Sequence, residues 1–141
     1  MQDSASANQS PPACAATPVI GSVVRAGPFT GPVSREHDVV DGRFRLRVGK
    51  YRDRESGLTQ KIPWFVRRSA RVGKSLSITG TRLGSDPQTF TLRSGRRPDG
   101  VKRYVFPSIV SPPAEGCWRL RFSSGKSTGR LTVLIQNDDA P

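Results

Sequence analysis

One histidine and two cysteines are all that the 141 residues offer to a soft metal ion, and His37, Cys14 and Cys117 are widely separated with no CxxC pair among them. A tetrahedral zinc site is therefore not expected. Two cysteines are also too few for a disulfide-dense scaffold. Nowhere does an apolar run approach the roughly 18–20 residues that cross a bilayer as a helix. Aromatic residues are only 7% of the chain. Several of them alternate inward, which leaves few for stacking on nucleic-acid bases. No window longer than about ten residues keeps a 3-4 apolar spacing, so no helix is expected. Acidic residues are scarce as well, 11 against 23 Lys and Arg.

That imbalance gives a net charge of +12 and an isoelectric point near 11.2. Such a charge favours anionic partners: nucleic acid, phosphate-rich cell-wall polymers or an acidic membrane surface. A compositional bias would give the same total, so the distribution decides, and charge that serves binding gathers on one face. Fourteen Gly and 12 Pro beside 34% hydrophobic residues describe a chain of many turns. The length suits one domain with one modest core, and a monomer is assumed.

Residues 1–18 are mostly Ser, Ala, Asn, Gln and Pro, which predicts a disordered tether. MQDSASANQSPPACAATP has neither the basic nor the apolar part of a signal peptide and reads as the polar tether that follows a cleavage site. The folded domain is expected over residues 19–137, with a flexible tail at 138–141. Its first part, up to Val40, is broken by Gly27-Pro28 and Gly31-Pro32 and supplies one short edge strand around Val19–Val24. From Gly42 the pattern is regular, with Phe44, Leu46 and Val48 alternating with Arg43, Arg45 and Arg47. Ile62 to Val66 follows with Trp64 at its centre, and Pro63 moves it toward a sheet edge or a bulge. Leu76 and Ile78, then Phe90 and Leu92, alternate with Ser and Thr.

Val101 to Val110, interrupted at Pro107, leads through Ser111-Pro112-Pro113 to the stretch GCWRLRF over residues 116–122. Ser123–Gly129 reads as a connection longer than the tightest turns, ahead of a last strand with Leu131, Val133 and Ile135 inward and Arg130 and Thr132 outward. Seven or eight such strands predict an all-β fold, a single Ig-like antiparallel β-sandwich. A five-stranded OB barrel, which would carry fewer strands and a helix, is second. Trp64, Trp118, Leu120, Phe122, Leu131 and Val133 are the expected core. Burying Trp118 alone removes about 150–250 Å² from water, roughly 4–6 kcal/mol as an upper figure.

The segment IPWFVRRSARVGKSLSITGTRL (62–83) precedes Phe106-Pro107, Gly116-Cys117-Trp118 and Leu131-Thr132-Val133. This W…LxIxGxRL…FP…GCW…LTV order resembles a group of uncharacterised bacterial exported proteins with a C-terminal Ig-like sandwich. The match covers about half the chain, and GCW after a Pro-rich turn is its most specific piece. It implies export and fold, and no chemistry. The arginine-rich strands and Pro112-Pro113 depart from that pattern.

Enzymatic signals are weak. Gly73-Lys74-Ser75 and Gly125-Lys126-Ser127 lack the glycine that a P-loop needs five positions earlier, where Arg68 and Leu120 stand, and neither opens a helix. Glu36-His37-Asp38 has no nucleophile motif beside it and reads as a solvated loop. Asp53-Arg54-Glu55 and Asp138-Asp139 could act as a glycosidase pair only if folding gathered them. A small hydrolase is therefore third among the functional expectations, and no cofactor is expected. Cys14 lacks the apolar stretch that lipid attachment requires. A Cys14–Cys117 disulfide is expected if the protein is exported and two free thiols if it is not.

The basic residues form the positive signal. Arginines at alternate positions of a strand point the same way and form a ridge of guanidinium groups suited to phosphate or carboxylate oxygens. Arg43, Arg45, Arg47, Arg67, Arg68, Arg119 and Arg121 are the candidate anion-binding residues. The expected function is a non-enzymatic, extracytoplasmic module that binds anionic polymers or acidic surfaces, or serves a structural envelope role. A cytoplasmic nucleic-acid binder with sequence-blind phosphate contacts is the alternative.

Overall fold

Alternating burial carries through most of eleven strands, with no helix among the described residues, in the computed structural model, which describes residues 14–36, 38–49, 59–84 and 86–137. The strands are β1 Val23–Ala26, β2 Phe29–Pro32, β3 Val39–Val40, β4 Arg43–Val48, β5 Gln60–Arg67, β6 Ser75–Arg82, β7 Thr89–Gly95, β8 Arg97–Asp99, β9 Arg103–Val110, β10 Gly116–Ser124 and β11 Ser127–Asn137. They form two sheets, ordered β1-β2-β5-β9-β8 and β3-β4-β11-β10-β6-β7. The chain changes sheet at Arg96, between β7 and β8. Among the described residues the sheets do not join into a barrel, so the molecule is a β-sandwich and not an OB fold.

Of the strands beyond the seven or eight expected, β2 and β3 arise from two-residue turns and β8 from the three-residue turn at 100–102. Asp41 and Gly42, at φ 53° and 76°, reverse the chain between β3 and β4. Gly27 at φ 59° does the same between β1 and β2, so Gly27-Pro28 is a hairpin turn and not a break. Between β10 and β11, Gly125 at φ 58° and Lys126 suffice, since Ser124 pairs with Ser127. The long connection expected over Ser123–Gly129 is therefore strand. A left-handed residue lets the turn follow the strand twist, and Gly and Asp-Gly supply it at least cost.

The proline interruptions are also absorbed. Pro63 of β5 faces Pro107 of β9 in one antiparallel pair, so the ladder is weakened at one position and not at two. β11 pairs antiparallel with β10 and parallel with β4, setting Leu134 beside Arg45.

Between the sheets lies an aromatic core. Phe122 sits 4.6 Å from Trp64 and 5.6 Å from Phe29 between ring centroids, and Phe90 lies 5.1 Å from Trp118. Leu120, Leu131 and Val133 are buried with them. Trp118 Nε1 donates to Ala114 O at 3.1 Å, whereas buried Trp64 Nε1 has no acceptor. Gly129 lets the hairpins close on one another: a Cβ there would stand 2.2 Å from Ala26 O. Gly129→Ala is expected to cost about 1–3 kcal/mol, read as a lowered midpoint of thermal unfolding. An unchanged midpoint would contradict this close approach.

Residues 14–18, assigned by composition to the tether, are tied to the sandwich. Thr17 donates its N–H to Thr132 O and accepts from Thr132 N through Oγ1, both at 2.8 Å. Its carbonyl accepts from Phe44 N at 2.9 Å, and Pro18 bridges to Arg43. The strap thus fills the slot where β4 and the first half of β11 stand apart, and its Ala16 is buried. Its end is joined to β10 by a Cys14–Cys117 disulfide with Cα atoms 5.5 Å apart. The composition gave no sign of this, because the strap binds through backbone groups that any sequence possesses.

Candidate anion-binding face

The period of two along β10 sends Trp118, Leu120 and Phe122 inward and Cys117, Arg119, Arg121 and Ser123 outward. Pairing then sets what stands beside them. Arg121 is opposite Arg130 of β11 on one side and Thr79 of β6 on the other, and Thr79 in turn faces Thr91 of β7. The next row runs Thr132, Arg119, Thr81 and Thr89. A third row runs Thr128, Ser123, Ser77 and Arg93. Arginine, threonine and serine occupy every position of these rows, and no carboxylate interrupts them.

Directly opposed residues stand about 4.5–5.5 Å apart at Cβ, and second neighbours on one strand about 6.6 Å apart. Arg119, Arg121 and Arg130 are thus one cluster. None of the three has a hydrogen bond, ion pair or ring contact among the described residues. Their forks are free to take oxygens, with hydroxyl donors alongside. Arg130 stands between two open recesses, one of about 370 Å³ bordered by Thr17, Arg119 and Thr132, the other of about 470 Å³ bordered by Arg121, Ser123 and Thr128. The opposed pair Arg121–Arg130 is a like-charge contact, which costs stability while no anion lies between the two.

The other expected arginines fall elsewhere or are committed to the fold. Arg43 Nη1 donates to Ala16 O at 2.6 Å and pins the strap. Arg45 Nη1 donates to Gln136 Oε1 at 3.4 Å. Arg43, Arg45 and Arg47 share the outer face of the six-stranded sheet with Arg119 and Arg121, but β11 separates their strands. Arg67 ends β5 of the other sheet, and Arg68 follows it in the turn. Arg68 Nη2 donates to Gly100 O at 2.8 Å, and its guanidinium lies 4.6 Å from the Tyr104 centroid, with Arg96 stacked on the same ring at 4.4 Å.

Arg130, expected outward from the sequence, and Arg93 join the face without having been among the candidate anion-binding residues. The two-residue turn at Gly125-Lys126 was the available signal for Arg130, because that turn fixes it opposite Arg121. Gly125-Lys126-Ser127 is this turn, and Gly73-Lys74-Ser75 leads into β6, with Gly73 N donating to Ser124 Oγ at 3.0 Å. His37, Lys50, Asp53-Arg54-Glu55 and Asp138-Asp139 lie outside the described residues. Neither a protein-family model nor a curated protein matches the chain.

Proposed function

We propose that the protein is a non-enzymatic, extracytoplasmic binding module that holds anionic polymers on the outer face of its six-stranded sheet. The observation that supports this reading is the unpartnered cluster of Arg119, Arg121 and Arg130 on a face whose neighbouring positions are hydroxyl-bearing and free of carboxylates. A merely solvated face would intersperse both signs, and like charges would not be set directly opposite. The paired rows carry no aromatic side chain, which disfavours base stacking and fits backbone-type contact with repeated phosphate or carboxylate groups. The disulfide is compatible with an oxidising compartment, in line with the resemblance to exported proteins.

Long-chain polyphosphate and polyglutamate titrated into the full chain test this. Affinity is expected to fall steeply with added salt, as counterion release requires. It should fall further, with a shallower salt slope, in the Arg119→Gln/Arg121→Gln/Arg130→Gln variant. Salt-independent binding, or a triple variant that binds like the parent, would sink the reading.

The same cluster makes a stability prediction of opposite sign. Arg121→Thr is expected to raise stability by about 0.2–1 kcal/mol at low salt while weakening polyanion binding. A variant that loses both stability and binding would assign Arg121 to the fold and not to a ligand.

A further inference from the structure

On the five-stranded sheet, β2 meets β5 at one pair only, Thr30 opposite Phe65. Continued antiparallel, that register would set Pro32 against Pro63 and Pro28 against Arg67, and a proline has no N–H to give a ladder. β2 and β5 therefore share little ladder bonding beyond Thr30, and a groove of about 560 Å³ lies over them on the outer face. Phe65 lies at its base, Val23, Pro28 and Pro32 form one wall, and the turn at Ser69-Ala70 borders it.

Three cations rim this apolar groove. Arg25 and Arg67 have no hydrogen bond, ion pair or ring contact among the described residues. Arg103 is held in place, its guanidinium 4.2 Å from the Phe65 centroid and its Nε paired with Asp99. No acidic side chain lines the groove. Its size falls in the range of small-ligand sites, which combine an apolar body with a few placed polar groups.

We propose that this groove binds a small aromatic carboxylate. The flat ring lies against Phe65 and the prolines, and the carboxylate sits between the forks of Arg25 and Arg67. A guanidinium fork matches a carboxylate with two parallel hydrogen bonds, and Arg103, already paired with Asp99, holds Phe65 in place. The groove lies on the opposite sheet from Arg119, Arg121 and Arg130, so it stands apart from the polyanion reading.

The test is a titration of the isotope-labelled full chain with 2-naphthoate, followed by amide chemical shifts, with 2-naphthalenemethanol as the uncharged comparison. Shifts are expected to centre on Val23, Phe65 and Ala70, and the alcohol should bind about tenfold more weakly. Arg67→Gln, at an exposed position, should weaken naphthoate binding about tenfold, and Phe65→Thr should abolish it. Lys126→Gln, at the exposed tip of the β10–β11 turn, should leave it unchanged. Shifts centred on Thr79 or Thr132, equal binding of the alcohol, or an Arg67→Gln protein that binds like the parent would each overturn the proposal.

Discussion

Replacing Cys14 and Cys117 together by alanine is expected to lower the unfolding free energy by about 3–5 kcal/mol. The bridge closes a separation of 103 positions, nearly the whole described chain, so its loss returns a large loop entropy to the unfolded state. The folded state loses little directly, because Thr17 and Pro18 still pair with Thr132, Phe44 and Arg43. Those bonds, with Arg43 Nη1 on Ala16 O, must then hold the strap against the entropy of a released segment. Urea denaturation of the double variant should show a lower midpoint, and reductant should move the parent protein to the same place. Amide exchange at Thr132 and Phe44 should quicken more than at Leu120, inside the β10 ladder. A loss below about 1 kcal/mol, or equal exchange at all three, would show that the strap holds without its sulfur bond.

Trp118→Ala is expected to cost about 3–5 kcal/mol. The side chain is fully buried, packs against Phe90, and satisfies its ring N–H on Ala114 O. Truncation leaves a void between two sheets whose backbones are fixed by long ladders and cannot collapse into it. Phenylalanine at the two tryptophan positions separates packing from hydrogen bonding. Trp118→Phe forfeits a bond and leaves Ala114 O without its donor, whereas Trp64→Phe removes an N–H that had no acceptor. The first should therefore be less stable than the second by about 1 kcal/mol. Equal effects would mean that the Ala114 bond contributes nothing.

The inward residues of β4, β10 and β11 were legible because a period of two admits only two faces, and Trp118, Leu120 and Phe122 declare theirs by chemistry. The short early hairpins were hidden by glycines that read as breaks, although Asp41-Gly42 between valine and arginine is a strong two-residue turn signal. Arg119 and Arg121 were read as outward from alternation alone, and the same pattern singled out Arg43, Arg45 and Arg47 equally. What separates the two groups is strand order: β11 lies between them, and the strap engages Arg43. Strand order depends on contacts between residues distant in sequence, which alternation along one strand does not encode. The groove beside Phe65 was out of reach for the same reason. Its prolines interrupt pairing only because β2 is the neighbour of β5.

The disulfide also determines how the molecule would transmit tension. A pull on the chain ahead of Cys14 passes through the sulfur bond into the start of β10 and bypasses the strap's hydrogen bonds. If the far anchor lies beyond Asn137, the force runs only through β10 and β11, and every strand from β1 to β9 sits in an unloaded loop. At about 3.5 Å per residue, the roughly 20 residues from Cys117 to Asn137 span about 70 Å when extended. Since Cys117 faces Leu134 in the fold, the oxidised protein can lengthen by only about 60 Å. With the thiols reduced, the whole chain from Cys14 onward would come under tension and unravel. The bridge that ties down the strap is therefore also a stop against overextension.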